Sequence, residues 1–297
     1  GIAPEVLPLP DSTAARILDL LSGAARPLII GGPATLRASA ARPLAELTRA
    51  TGIPAVCTQS PRGLNDPSLG AVAEVLPQAD VVLLLGKPID FALRFGREPD
   101  FAPDCKFLAI DSDVKILEQS RRALANAAQL EVAFEADTLP ALELLTRLAA
   151  GRSWPVSGWR DEVESAIAFR PSLWSGDLPN EDGRLHPAAV CRIAAEHLPD
   201  DGIFVSDGGE FGQWAQALIG GAERIINGPS GSIGGSIPMA VAAQLAYPDR
   251  RVLVTLGDGT FGFQPLEFDT AVRHGAPIVA LVGNDAGWSA ERPLQRR

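Results

Sequence analysis

Short, continuous apolar runs punctuate this chain, and longer segments with a helical spacing of apolar positions separate them. The runs are Leu28-Ile29-Ile30, Val81-Val82-Leu83-Leu84-Leu85, Phe107-Leu108-Ala109-Ile110, Ile203-Phe204-Val205, Val252-Leu253-Val254-Thr255-Leu256 and Ile278-Val279-Ala280-Leu281-Val282. Runs of this length bounded by turn residues read as buried strands, whereas Ala15, Ile17, Leu18 and Leu21 share one face of a helix. The pattern predicts helix 11–21, a strand from Pro27, helix 38–51, strands 53–57, 80–85, 106–110 and 130–134, and helix 137–150. It resumes with helix 187–198, strand 203–206, helix 210–219, strand 224–227, helix 234–246, strand 252–256, helix 264–273 and strand 278–283. Strands alternating with helices of this length mean parallel sheets wound on both faces, so the fold class is α/β with two doubly wound domains.

The rhythm breaks twice. Residues 1–10 are Pro-rich and extended, like a linker. Residues 156–185 carry Gly158, Pro171, Gly176, Pro179 and Gly183 and predict a linker with one short helix near 159–168. The expected domains are therefore 1–155 and 186–297.

Composition narrows the class. The 297 residues are 46% apolar, enough for two packed domains, and no apolar run approaches a membrane span or a signal segment. A net charge of −10, with no basic cluster longer than Arg121-Arg122 or Arg296-Arg297, argues against nucleic acid. Cys57, Cys105 and Cys191 are far apart and odd in number, so they read as reduced thiols in a cytoplasmic protein. His186, His197 and His274 lack neighbouring ligands and read as structural.

The chemistry concentrates behind three strand ends. Gly257-Asp258-Gly259-Thr260 follows one apolar run, and Asn284-Asp285-Ala286-Gly287 follows another, with 27 residues from Asp258 to Asp285. That interval fits one strand, one helix and a second strand, so both carboxylates sit where open α/β sheets bind ligands. Hard divalent cations such as Mg²⁺ take such oxygens and bridge them to phosphate. The glycines flanking Asp258 allow backbone amides to approach a phosphate; the alternative is a tight turn. Asp207-Gly208-Gly209-Glu210 follows a third strand, and Glu210 is either a pocket residue or a favourable charge at a helix start. Ser230-Gly231-Ser232-Ile233 is a small-residue loop that either admits a flat ligand or is simply flexible, with Ile233 in the core. Glu291 is either an acid/base carboxyl or one half of a solvated pair with Arg292.

Gly257-Asp258-Gly259 followed one βα unit later by Asn284-Asp285 resembles the thiamine-diphosphate enzymes related to acetolactate synthase, whose motif ends in Asn-Asn. The resemblance extends over nearly the whole chain. It implies a middle domain at 1–155 and most of a diphosphate-binding domain at 186–297, without the family's pyrimidine domain, so the chain is expected to be a segment of a larger protein. It implies Mg²⁺ held by Asp258, Asp285 and the Gly287 carbonyl, and thiamine diphosphate bordered by Gly209, Glu210, Gly257, Gly259 and Thr260. Gly231 and Ser232 would meet its aminopyrimidine, Ile233 would wedge beneath it, and Glu291 would act on the substrate. Asp285 in place of the family's second Asn adds a negative charge beside the diphosphate.

The stretch Phe91–Gly96 and Phe101–Asp111 looks most like the 2-hydroxyacyl-CoA lyase and oxalyl-CoA decarboxylase branch. That implies ADP in the middle domain, where Asp111 and Asp137 follow strands and fit a ribose hydroxyl, unless they are turn or cap residues. The short connection at 66–79 leaves less room for a flavin. The expected activity is cleavage of a 2-hydroxyacyl-CoA thioester to formyl-CoA and an aldehyde or ketone. The alternatives are a 2-oxo-acid carboligase or decarboxylase, and a non-catalytic nucleotide-binding homologue. The family likeness also implies a homodimer or homotetramer with active sites shared between subunits.

Overall fold

The computed structural model describes residues 5–60, 62–175, 183–227, 230–288 and 290–295. Residues 1–4 of the N-terminal linker, 176–182 of the central linker and the Arg296-Arg297 pair lie outside the described residues. The chain divides into two compact units: one comprises Gly1–Gln59, Gly63–Asn65 and Ala71–Phe169, the other Ser60–Arg62, Asp66–Gly70 and Arg170–Arg297.

The first unit holds strands β1 (Pro27–Gly31), β2 (Ala55–Cys57), β3 (Val81–Leu85), β4 (Lys106–Asp111) and β5 (Leu130–Glu135), all parallel in the order β2-β1-β3-β4-β5. Central β3 is buried along its whole length, as its unbroken apolar run requires. Helices α1 (Asp11–Ser22), α2 (Ala38–Thr51), α3 (Val72–Val75), α4 (Val114–Ala123), α5 (Thr138–Ala149) and α6 (Trp159–Ala168) complete the unit. Ile17, Leu18 and Leu21 of α1 meet Ile29 and Leu83 in one core with Leu142 and Leu145 of α5. Gly52, at φ 70°, closes α2 in the left-handed conformation that glycine adopts without penalty.

Three sequence expectations are adjusted here. The strand expected from 53 begins at Ala55, because Pro54 has no N–H to give the ladder. Helix α4 was not expected: only Leu117 and Ser120 of it are buried, so its apolar stripe is thin, and Asp113 starts it by accepting the Lys115 amide at 2.8 Å. Helix α6, expected within a linker, packs into the first unit, where Trp159 is buried and donates its indole N–H to the Pro27 carbonyl at 2.8 Å.

The second unit has strands β6 (Ile203–Ser206), β7 (Glu223–Ile226), β8 (Val252–Gly257) and β9 (Ile278–Gly283), parallel in the order β7-β6-β8-β9. Around them lie α7 (Pro187–Glu196), α8 (Gly209–Leu218), α9 (Ser236–Ala246), α10 (Asp258–Phe261), α11 (Glu267–Arg273) and α12 (Arg292–Gln295). One side of the sheet buries Ile203, Val205, Val254 and Leu256 against Ile237 and Ala240 of α9. The other side buries Phe204 and Leu253 with Cys191 and Ala215. The helix expected over 264–273 is α11, which starts only at Glu267, and a separate helical turn not expected from the sequence, α10, precedes it at Asp258–Phe261.

Among the described residues no helix is long and apolar enough to cross a membrane. All three cysteines are free, and burial pushes the Cys105 and Cys191 thiols up to about 12, which makes them packing groups rather than nucleophiles.

Candidate functional site

The second sheet brings three strand ends to one edge. Gly257 pairs in register with Gly283, and Ser206 with Thr255, so the residues that follow β6, β8 and β9 emerge side by side. The chain runs outward from β6 to β7, then returns to β8 on the other flank of β6. That reversal opens a crevice between the β6 and β8 ends, the usual ligand position in such sheets.

A buried carboxylate shapes one wall. Asp207 is fully buried, and its side chain accepts N–H groups from Gly208 at 2.7 Å, Gly234 at 3.0 and 3.1 Å, and Ser236 at 3.2 Å. One side chain thus ties the β6 turn to the loop that leads into α9, and its oxygens are met by three backbone donors. Gly208 lies under Ile233, where an added Cβ would meet the Ile233 methyl at 2.8 Å, and Gly234 lies under Phe263 in the same way, at 2.5 Å from its Cβ. The sequence reading named Asp207 only as part of a glycine motif. Its role depends on backbone donors 27 and 29 residues away, which leave no mark in the sequence.

The remaining walls come from β8 and β9. Asp258 is half-buried and begins α10, while the Thr260 hydroxyl turns back to donate to the Gly257 carbonyl at 3.0 Å. Asn284 accepts the Ala286 amide at 2.9 Å, forming an Asx turn, and Ala286 takes a φ of 55°. This turn leaves Asp285 exposed at the strand end and brings Gly287 back toward the pocket. Trp288 lies on Gly259, its indole nitrogen 2.8 Å from where a Cβ would be, so only glycine fits there.

These elements line an open pocket, with about 540 Å³ of space within it and at its mouth, open solvent included. Gly209, Glu210, Ile233, Gly257, Asp258, Gly259, Thr260, Asp285, Gly287 and Glu291 all line it, joined by Gly208, Phe211, Gly283, Trp288 and Ala290. Gly231 and Ser232 are not in its wall. Glu210 stands in the first turn of α8 and lines the pocket. Glu291 is exposed at the rim.

Among the described residues no group of three or more His, Cys, Asp or Glu is gathered to hold a metal ion. A cation here would share two carboxylates, a backbone carbonyl and the oxygens of a bound phosphate, an all-oxygen shell that suits Mg²⁺. The glycine-lined loops leave backbone approach open for that phosphate, and the residues present fit such a group.

The first unit does not pair Asp111 and Asp137 in this way. The Asp137 carboxylate accepts the Leu7 amide at 2.9 Å, and its own N–H donates to the Leu7 carbonyl, so it pins the entering chain. Asp111 accepts the Asp113 amide at 3.0 Å within its own turn, and burial raises its pKa above the ordinary value. Of the histidines, His186 is structural, because its Nδ1 accepts the Ala188 amide at the start of α7 and its ring packs on Trp214.

Fold and site together define an α/β protein with two parallel sheets, the second carrying a pocket lined by glycines and carboxylates at its strand ends. Residues 207–297 match the C-terminal TPP binding domain of the thiamine pyrophosphate enzymes, and residues 14–136 match their central domain. The chain therefore belongs to the thiamine pyrophosphate enzyme family, of which it carries these two domains. It is 31% identical over 289 residues to 2-hydroxyacyl-CoA lyase 2 of Homo sapiens, which covers 92% of this chain and 44% of that protein. It is 32% identical over 285 residues to a probable acetolactate synthase of Mycobacterium bovis, covering 93% and 50%. A 2-hydroxyacyl-CoA lyase 1 of Dictyostelium discoideum is 29% identical over 298 residues, covering 91% and 51%. The chain spans about half the length of the curated relatives it matches.

Proposed function

We propose that this chain supplies the metal- and diphosphate-holding half of a thiamine-diphosphate-dependent lyase that cleaves 2-hydroxyacyl-CoA thioesters to formyl-CoA and an aldehyde or ketone. The observation that carries the reading is the pocket in which Asp258, Gly259, Asp285, Gly287 and Glu291 meet. The likeness to 2-hydroxyacyl-CoA lyase 2 supports the choice of substrate class. Asp258, Asp285 and the Gly287 carbonyl would hold Mg²⁺ against the diphosphate, and the backbone of Gly209, Gly257, Gly259 and Thr260 would cradle it. Ile233 would support the ring system from below, with Gly231 and Ser232 farther along its pyrimidine side.

When bound, thiamine diphosphate supplies a nucleophilic carbon and an electron sink for breaking or making a bond beside a carbonyl. The chain's own contribution is placement and proton handling. Glu291, at the pocket rim, would exchange a proton with the substrate hydroxyl, and Trp288 and Phe211 would limit the water that reaches it. Family membership also supports an oligomer with sites completed between subunits.

A second reading, a carboligase acting on 2-oxo acids, is favoured by the 32% identity to the acetolactate synthase relative, against 31% to the human lyase. The deciding experiment gives the full-length protein thiamine diphosphate and Mg²⁺, offers a panel of 2-hydroxyacyl-CoA thioesters or pyruvate, and analyses the products by mass spectrometry. Formyl-CoA without acetolactate is the expected result; acetolactate alone moves the protein to the second reading. Neither product, with the cofactor bound, would sink both.

A further inference from the structure

The pocket wall poses an electrostatic problem. It carries four carboxylates, Glu210, Asp258, Asp285 and Glu291, and no Lys, Arg or His among the described residues. A diphosphate entering it brings further negative charge, more than one divalent cation neutralises. Like charges at this range oppose binding unless a cation stands close by.

Arg62 acts electrostatically on Glu291, and a second cation, Arg292, stands behind the wall at Gly287. The Glu291 and Arg292 amides both donate to the Trp288 carbonyl, at 3.0 and 3.2 Å, and this folds the chain back so that residue 292 lies over residue 287. The Arg292 guanidinium rests on Gly287: a Cβ added there would collide with Nη2 and lie 3.0 Å from Cζ and 3.4 Å from Nε. Gly287 itself lines the pocket, two positions from Asp285. Among the described residues no carboxylate forms an ion pair with Arg292, whereas Arg273, on the neighbouring α11, is paired with Asp269. A planar guanidinium with no carboxylate partner, stacked on a pocket glycine, is suited to an oxyanion.

We propose that Arg292 is the charge-balancing residue of this pocket, offsetting Asp285 so that an Mg²⁺-bridged diphosphate can bind among four carboxylates. The inference rests on the cofactor reading above and adds a residue to it. Arg292 acts on affinity through the field at Asp285 and Gly287, so its effect depends on the charge at position 285.

The test is a thermodynamic cycle on the full-length protein, read by isothermal titration calorimetry of thiamine diphosphate at saturating Mg²⁺. Arg292→Gln should weaken binding by about tenfold at low salt, and by less as salt screens the charge. In an Asp285→Asn background, the same change should cost less than about threefold, and Arg292→Lys should stay within about threefold of the parent. Arg292 is exposed, so thermal melting should be unchanged, which separates charge from folding. Equal losses in both backgrounds, or no loss in either, would overturn the proposal. Absence of any Mg²⁺-dependent binding by the parent protein would overturn the cofactor reading itself, and this inference with it.

Discussion

The two sheets share one strand order over their first four strands, β2-β1-β3-β4 and β7-β6-β8-β9, yet among the described residues their points of reversal are built differently. In the first sheet the crevice between the β1 and β3 ends is filled by backbone. Gly32 donates to the Leu85 carbonyl at 2.9 Å and rests on the Gly86 carbonyl so closely that a Cβ could not be placed. Thr58 seals the other flank, donating both its N–H and its hydroxyl to the Gly31 carbonyl. In the second sheet the corresponding loop begins with Asp207, whose carboxylate gathers Gly208, Gly234 and Ser236 to one side and leaves the ends of β8 and β9 facing open space. Topology supplies the place for a ligand, and the residues just past each strand decide whether that place is filled.

The largest test of this contrast removes the organising carboxylate. Asp207→Ala strands three backbone donors in a site with no exposure, and should lower stability by about 3 kcal/mol or more. Denaturant unfolding followed by tryptophan fluorescence measures it. A loss within about 0.5 kcal/mol, the usual range of a neutral surface change, would show that other contacts hold the crevice open.

Next in size is the chemistry of the open end. Asp258→Ala and Asp285→Ala should each weaken Mg²⁺-dependent binding of thiamine diphosphate by about a hundredfold, near 2.7 kcal/mol. Asp285 is exposed and Asp258 half-buried, so neither change should move the melting temperature much. A variant that keeps full affinity would remove that carboxylate from the metal shell.

A glycine substitution can then probe each crevice. Gly32→Ala pushes a methyl into the Gly86 backbone and should cost about 2–3 kcal/mol. Gly209→Ala has open space around it, so its cost of about 1 kcal/mol comes from forcing alanine to a φ of 86°. Equal costs in thermal or chemical unfolding would mean that the first crevice is not closed by packing.

The same contrast explains what the sequence could reveal. Strands and most helices were legible because unbroken apolar runs and helical spacing each report a buried surface, as β3 and α1 show. Asp258 and Asp285 stood out because each follows such a run, one βα unit apart. Asp207 as an organiser was not legible, since its partners are amides that any residue carries. Helix α4 hid behind its thin apolar stripe. Arg292 read as half of a plain charge pair with Glu291, because a guanidinium folded back over Gly287 is a property of the loop path. The clustering of Ser60–Arg62 and Asp66–Gly70 with the second unit likewise comes from tertiary contacts that local composition does not encode.

The smallest expected effect lies where the two sheets are most alike. Both β4 and β9 end in an Asx turn, Asp111 accepting the Asp113 amide at 3.0 Å and Asn284 accepting the Ala286 amide at 2.9 Å. The difference is a charge on the turn residue itself, and burial raises the Asp111 pKa because the charged form is disfavoured there. A carboxyl whose folded pKa exceeds its unfolded one is a liability above the folded value, and the liability disappears as pH falls through that value toward the ordinary aspartate range near about 3.9. Asp111→Asn keeps the turn acceptor and removes the charge, so it should stabilise the protein near neutral pH. Solvent screening at this half-exposed site limits the gain to a few tenths of a kcal/mol. Denaturant midpoints for the two proteins should therefore differ at neutral pH and converge on acidification. A constant gap at every pH would mean that Asp111 contributes through shape alone, and that the first sheet's turn is as indifferent to charge as the one that Asn284 makes in the second.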